Sequence, residues 1–527
     1  MNPINELIAT YSFSSEKKNP DADFFALLSF VKCQGIKHHF LTFDLNVNPA
    51  GYFEQIGKIK GSNKVVYLHI DDITYLDKLK TLLSGLKDQG CLIVVGGHTS
   101  ITFESSQLLE VFNEIDAILR KPEEEKALVN LIKAILAGKN WKSVKGITYR
   151  KGDENKIVIN KNRTLSKNIN HISSLGIHEH QIPNNDWYPI IISRGCFYNC
   201  RYCLSQLQYY MDSNGKSNYW RKKSGKKVVD EIELLMSKGI DKFQFYCDQF
   251  FESKPDQNAS TADIAGEIIR RNLKLSFKFF SKPRELRNNF EIIPVLHEAG
   301  LKEIGIGIDS GVQRFHELYQ TGSTIEDIIE VLKFIHEHRL KFYSSFILFE
   351  PYLTIEEIKE TIVFLETIAA YFSHLEQPYS AYLDSRVLRS VLILRCGMPI
   401  LQELKRDGLL IEYPGFSKHP AATFLDPQVK NVYSIYRSVN QTLLPKIRHF
   451  FYDKELVKRY GFIYLFPLRI LEKISMSVVE KKFTNLEDYV LDIETYIKQT
   501  FITCIDNIFS DFPAYRNEKL EQWVKNI

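Results

Sequence analysis

Three cysteines stand within eight residues in Ser193-Arg-Gly-Cys196-Phe-Tyr-Asn-Cys200-Arg-Tyr-Cys203, a C-x3-C-x2-C spacing. With eight cysteines in 527 residues, that spacing arises by chance only ~0.002 times per chain. Thiolates this close together select soft metals. Four of them close a zinc or iron–sulfur site, whereas three on one loop leave one iron of a [4Fe–4S] cluster open to an outside ligand. A fourth thiol, Cys247, ends Phe243-Gln-Phe-Tyr-Cys247-Asp248. It is either a further ligand or a buried strand cysteine, the second being the commoner state of such a residue. Further polar residues stand where strand-like runs end: Asp248 after the run through Cys247, Lys282 and Arg284 in Ser281-Lys-Pro-Arg284, and Asp309 and Ser310 in Gly305-Ile-Gly-Ile-Asp309-Ser310-Gly311.

Two series of alternating apolar runs and amphipathic stretches position these residues. The first has strand patterns at Leu7–Phe13, His39–Asp44, Val65–Ile70, Cys91–Gly96 and Asp116–Leu119, each followed by a helical pattern. Such alternation predicts a parallel, doubly wound sheet. Val94-Val95-Gly96-Gly97 ends a strand with two glycines, which suits either a tight turn or backbone approaching a ligand at the sheet's carboxyl edge. Gly146–Arg150 and Lys156–Ile159 read as a hairpin, and residues 163–188 as a linker. The second series places strands at Ile190–Ser193, Lys242–Cys247, Leu275–Phe280, Glu303–Ile308 and Phe342–Phe349. Helical patterns lie between them at Lys227–Lys238, Ala262–Asn272, Ile292–Ala299, Thr324–His338 and Thr354–Ala370. That series predicts a partial (β/α)6 barrel, with its working loops at the carboxyl ends of the strands. Long helical patterns at Val429–Phe451 and Leu486–Phe509 follow. The expected architecture is α/β, with an N-terminal Rossmann-like domain over 1–143, hairpin and linker over 144–188, barrel over 189–395 and helical region over 396–527.

A cysteine triplet of this spacing after the first barrel strand, with Tyr202 beside the last cysteine, resembles the radical S-adenosylmethionine (SAM) superfamily. The resemblance implies a [4Fe–4S] cluster on Cys196, Cys200 and Cys203, SAM bound to its open iron, and reductive cleavage to a 5′-deoxyadenosyl radical that abstracts hydrogen from an unactivated carbon. It further implies SAM contacts from Tyr202, Asp248, Arg284, Asp309 and Ser310, and an external electron donor such as a flavodoxin or ferredoxin. Asp248 stands where the superfamily often has a Gly-Gly-Glu type motif, and Asp309 is one methylene shorter than the usual Glu. The acidic version is similar to the branch with an N-terminal cobalamin (B12)-binding-like domain, where Gly96 and Gly97 would be the backbone nearest a corrinoid. The Asp-x-His-x-x-Gly motif that supplies a cobalt ligand is absent from this sequence, and the branch includes both cobalamin binders without it and proteins without the cofactor. Cobalamin stays open at this point.

Lys and Arg number 68 against 64 Asp and Glu, so no general attraction to nucleic acid follows from charge. No run reaches the ~18 apolar residues of a membrane span, and the amino terminus lacks a leader pattern, which predicts a cytoplasmic protein. Eight cysteines are too few for a disulfide scaffold. His69, His171, His178 and His180 lack metal-ligand spacing, and Cys33, Cys91, Cys396 and Cys504 form no second cysteine group. The expected substrate is a peptide or small-molecule natural-product intermediate, with methyl transfer, cyclisation, cross-linking or rearrangement as outcomes. A tRNA- or RNA-modifying enzyme and a non-catalytic metal-binding protein on the same fold are the alternatives.

Overall fold

The computed structural model describes residues 7–13, 21–44, 49–59, 64–70, 76–97, 105–120, 124–152, 156–161, 169–179, 187–203, 205, 220–252, 259–371, 390–395, 397–411, 420–442 and 466–480, with 491, 493, 495, 496 and 499. The predicted strands of the first series appear as β1 (Leu7–Phe13), β2 (His38–Asp44), β3 (Val65–Ile70), β4 (Leu92–Gly96) and β5 (Ala117–Leu119). They pair in parallel in the order β2-β1-β3-β4-β5. β3 is buried along its whole length, as a parallel strand covered on both faces must be. The hairpin β6 (Ile147–Lys151) and β7 (Lys156–Ile159) does not stand apart as a junction. It adds to β5 antiparallel and extends the first sheet.

The second sheet holds β8 (Tyr188–Ile191), β11 (Lys242–Tyr246), β12 (Ser276–Ser281), β13 (Leu301–Asp309) and β14 (Lys341–Phe346), parallel throughout in that order. Beyond β14, Phe349 bridges in parallel to Val391, the place of a sixth strand. Two short strands, β9 (Ser193–Arg194) and β10 (Arg221–Lys222), pair antiparallel outside this sheet.

Strand pleat decides which residues point to the helices. Phe243, Phe245, Phe277, Phe279, Ile304, Ile306, Ile308 and Phe342 are all buried in one core. Phe245 stacks on Phe277 at 4.5 Å and Phe250 on Phe279 at 3.8 Å between centroids. Fully burying a side chain of this size contributes roughly 1.5–3 kcal/mol. Helices start where the sequence caps them. Thr324 and Asp327 form a reciprocal capping box for helix Ile325–Glu337, and Thr354 and Glu357 exchange the same bonds at 3.3 and 2.9 Å before helix Ile355–Tyr371. Helices Pro427–Thr442 and Phe466–Val479 pack on each other, and the second also packs on Ile355–Tyr371. The expected helix Leu486–Phe509 and the remainder of Val429–Phe451 lie almost wholly outside the described residues. No described helix is long and apolar enough to cross a membrane.

Arg194 joins the two sheets. Its guanidinium reaches Asp23 on helix Ala22–Cys33 at 2.7 Å and Glu125 on helix Glu124–Leu136 at 3.1 Å. His171 stands 3.6 Å from the same Glu125. Burial on its own would raise the Glu125 pKa, but Arg194 and His171 outweigh it and hold the carboxyl far below the usual range. A carboxyl depressed in the folded state stabilises the fold above its unfolded pKa, and that contribution is lost as the pH falls. Arg194→Met leaves a buried carboxylate without its main partner, so it should destabilise the chain by about 3–5 kcal/mol. Glu125→Gln in that background should recover part of the loss. Thermal unfolding at neutral pH checks both, and the gap between wild type and Arg194→Met should narrow as the pH is lowered through the carboxylate range.

Candidate active site

The three cysteines follow β9, on the chain that returns at β10. Gly195 opens the loop with φ +93, a conformation open to glycine and costly for other residues. Inside the loop the Cys203 amide donates to the Cys200 carbonyl at 3.0 Å. The loop is fastened to two further segments. The Arg201 amide donates to Tyr319 O at 3.0 Å, the Ile400 amide to Arg201 O at 3.2 Å, and the Arg201 guanidinium to both oxygens of Glu403 at 2.7 Å.

Asp248, just past the end of β11, closes the loop. One oxygen accepts from the Gly195 amide at 2.8 Å and the other from the Ser205 hydroxyl at 2.7 Å. A single carboxylate thus holds the residue before Cys196 and the residue two beyond Cys203. Ser205 also turns its amide toward Cys203 Sγ at 3.4 Å, and the Tyr198 amide faces Cys196 Sγ at 3.5 Å.

Lys282 enters from the end of β12. Its ammonium donates to Thr321 O at 2.6 Å and to Cys200 Sγ at 3.1 Å, and sits 4.8 Å from the Tyr198 ring centre. Burial opposes the charge on Lys282, but Cys200 and Asp309 beside it raise its pKa. Burial pushes Cys196 up to about 12 and raises Cys200 and Cys203 as well. Three sheltered thiols of this kind become thiolates when a cation binds them, since a coordinating metal deprotonates a thiol outright. The cysteines are not joined in disulfides. Among the described residues no three His, Cys, Asp or Glu side chains converge on one point as ligands of a single ion. Three soft donors spread along one loop, with an ammonium at one sulfur, fit a cluster that offers each cysteine its own iron.

Tyr202 and Asp309 meet across the barrel mouth. The Tyr202 hydroxyl donates to Asp309 Oδ2 at 2.6 Å, and Ser345 on β14 donates to Asp309 Oδ1 at 2.9 Å. Asp309 has φ +60 at a register shift between β13 and β14. Left-handed backbone at a non-glycine residue costs of order 1–3 kcal/mol and concentrates at working sites. Ser310 turns instead to its own chain, accepting from the Val312 amide at 3.1 Å. Arg284 reaches the Asp327 carboxylate at 3.2 Å, and the base that meets the cysteine loop is its neighbour Lys282. Cys247 lies 3.8 Å from Phe245 O and 4.0 Å from Phe280 O, the environment of a buried thiol. Ser205, Ser345 and Arg201 carried no sequence signal, because each acts through a partner distant in the chain.

Gly96 and Gly97 are occupied by the protein's own groups. A Cβ on Gly96 would fall 1.7 Å from Glu124 Oε1, and the Gly97 amide donates to that oxygen at 2.8 Å. A Cβ on Gly97 would meet the His69 ring at 3.1 Å. His69 in turn bonds the Tyr67 hydroxyl at 3.1 Å and Asp21 at 3.3 Å. Both positions pack closely against these side chains, so a residue larger than glycine has no room there. Their small size serves a buried Glu124–Tyr67–His69 group.

Asp248→Ala should release both ends of the cysteine loop. The expected result is at least a several-fold faster loss of iron to a chelator after anaerobic reconstitution, with the unfolding temperature little changed because Asp248 is exposed. Asp248→Asn, which keeps one oxygen acceptor, should fall between. Iron content against time checks the order.

Residues 190–365 match the radical SAM superfamily model. An uncharacterised methyltransferase of Pyrococcus horikoshii is 27% identical over 283 residues, which is 53% of this chain and 58% of that protein. An anaerobic magnesium-protoporphyrin IX monomethyl ester cyclase of Rubrivivax gelatinosus is 26% identical over 279 residues, 51% of this chain and 48% of the cyclase. The matched segment thus spans about half the length of these relatives. Among solved structures, the cobalamin-dependent SAM radical enzyme OxsB superposes with a TM-score of 0.77 at 15% identity, over 99% of this chain and 83% of OxsB. The radical SAM methyltransferase TsrM of Kitasatospora setae gives 0.56 at 16% identity, over 69% of this chain and 70% of TsrM. Residues 190–365 thus match the radical SAM model by sequence, and the chain as a whole shares its fold with cobalamin-dependent radical SAM enzymes.

Proposed function

We propose that this protein is a radical SAM enzyme acting on an unactivated carbon of a small-molecule or peptide substrate, and that Cys196, Cys200 and Cys203 hold its [4Fe–4S] cluster. The observation that carries the proposal is the loop itself: three sheltered thiols closed by Asp248 and faced by the Lys282 ammonium. When bound, the cluster and SAM supply a 5′-deoxyadenosyl radical able to abstract hydrogen from carbon.

The chain's own residues do the rest. Asp248 fixes the two ends of the loop, so the sulfurs keep their spacing. Lys282 balances negative charge that accumulates on the thiolates, an effect enlarged by its burial. Tyr202 and Ser345 hold Asp309 from two sides and aim its carboxylate across the mouth, where it would receive the amino or hydroxyl groups of SAM. The aromatic side chains of Tyr198, Tyr202, Phe315 and Tyr319 crowd the same end of the barrel and exclude water from it. Methyl transfer, the activity named in the Pyrococcus and TsrM relatives, is one outcome of such a site. An electron donor of the flavodoxin or ferredoxin type would serve it, in a cytoplasmic setting.

The test is anaerobic reconstitution of the full chain, reduction with dithionite in the presence of SAM, and measurement of bound iron and released 5′-deoxyadenosine. Wild type should bind close to four irons and release 5′-deoxyadenosine. Cys196→Ala, Cys200→Ala and Cys203→Ala should each lower that release at least a hundredfold. Zinc in place of iron, or an intact cluster that never cleaves SAM even with candidate substrates, overturns the proposal. Incubation with hydroxocobalamin and a corrinoid absorbance reading separates methyl transfer assisted by cobalamin from outcomes without it.

A further inference from the structure

The inner face of the second sheet, opposite the phenylalanine core, is layered. Register pairs Gln244 with Lys278 and Lys278 with Glu303 in one row, and Phe280 with Gly305 and Gly305 with Tyr343 in the next. Lys282, Asp309 and Ser345 stand above these rows at the cysteine end. From Lys278 to Lys282 the chain rises four residues, ~13 Å at ~3.3 Å per residue. Solvent reaches this face. Tyr246 is 40% exposed, and the side chains of Lys278 and Glu303 are 17% and 28% exposed.

The lowest row carries the ion pair Lys278–Glu303, with the exposed Lys341 next in register at its outer end. Lys278 Nζ lies 3.5 Å from Glu303 Oε2 and is held between rings, 4.8 Å from the centre of Trp187 and 5.3 Å from that of Tyr343. The row above is aromatic. Phe280 and Tyr343 lie 6.2 Å apart over Gly305, where a Cβ would stand 2.5 and 2.6 Å from their rings. Glycine there is what lets both rings lie along the strand.

We infer that this inner face binds the substrate, with a zwitterionic amino-acid group seated on the Lys278–Glu303 pair and the rest of the molecule running over Phe280 and Tyr343 toward the cysteines. The inference rests on the radical SAM reading for its direction, since the reacting carbon must face the cysteine end. A lone anion on Lys278 would set its charge against Glu303, and a lone cation on Glu303 would set its charge against Lys278. Only a group with both signs leaves every partly buried charge with a partner, which is how such a pair gains specificity. The two rings give Lys278 cation–π partners and restrict where its ammonium can go. The ~13 Å rise accommodates an amino acid with a large side chain and its target carbon near Lys282.

The test uses the full chain carrying its cluster, without reductant, and three probes: L-phenylalanine, 3-phenylpropionate, which lacks the ammonium, and phenethylamine, which lacks the carboxylate. Dissociation constants come from ligand-observed NMR at millimolar concentrations. L-phenylalanine should bind at least tenfold more tightly than either analogue. Lys278→Met should abolish its advantage over phenethylamine, and Glu303→Gln its advantage over 3-phenylpropionate. Lys278→Arg, which keeps the charge, should retain most of the preference, and circular dichroism checks that each variant is folded. Equal binding of 3-phenylpropionate and L-phenylalanine, binding unaffected by Lys278→Met in a folded protein, or no binding of any probe overturns the inference. Because no turnover is needed, loss of SAM cleavage with the preference intact would count against the radical reading alone. Intact SAM cleavage without the preference would count against this inference alone.

Discussion

The second sheet is an open curve of parallel strands, and that geometry forces its two faces into different chemistry. The face toward the helices is sealed, so period-two alternation fills it with Phe243, Phe245, Phe277, Phe279 and the isoleucines of β13. The other face looks into an incomplete barrel and cannot be packed to the same density. Its positions hold Gln244, Lys278, Glu303, two glycines, Tyr343 and Ser345. Everything that bears on chemistry stands on that inner face or on the loops at its carboxyl end. The helices beneath keep the spacing of those residues fixed, because shifting one strand by a single residue would turn phenylalanines inward and lysines into the core.

That same alternation explains what could be read from the residues alone. Strand positions in both series agree with the sequence pattern to within a residue or two for most elements, because apolar runs bounded by turns have few other uses. Helix starts at Ile325 and Ile355 were legible through Thr324 and Thr354. The cysteine loop was legible because its spacing is local. What escaped depended on partners far apart in sequence. Arg284 and Lys282 are two residues apart and look alike, yet one meets Asp327 and the other Cys200. Only the direction in which each leaves the turn at Pro283 separates them. Gly96 and Gly97 carried a second ambiguity, since a glycine pair accommodates a side chain of the same protein as readily as a ligand. Glu124, some 27 residues downstream, is the side chain that packs against them, and nothing in the local sequence points to it. The hairpin after β5 read as a boundary because turn residues surround it, whereas its antiparallel pairing with β5 makes it the edge of the first sheet.

The polar groups near the cysteines form a graded set. Asp248 acts on the loop's backbone, Lys282 on one sulfur, and Asp309 is held across the mouth by a tyrosine and a serine. Each carboxylate is already engaged by donors from the chain, so the site is organised before any ligand arrives. Preorganisation of this kind lowers the reorganisation needed when charge develops.

Arg194 lies two residues before the first cysteine and is gripped by Asp23 and Glu125, both belonging to helices of the first sheet. Chain order gives this grip a direction in time. During synthesis the helices carrying the two carboxylates leave the ribosome well before the arginine and the cysteines do, at ~5–20 residues per second. The two carboxylates that seat Arg194 are therefore made before the loop that they anchor. The first sheet thus supplies the fixed anchor point from which the cysteine loop departs.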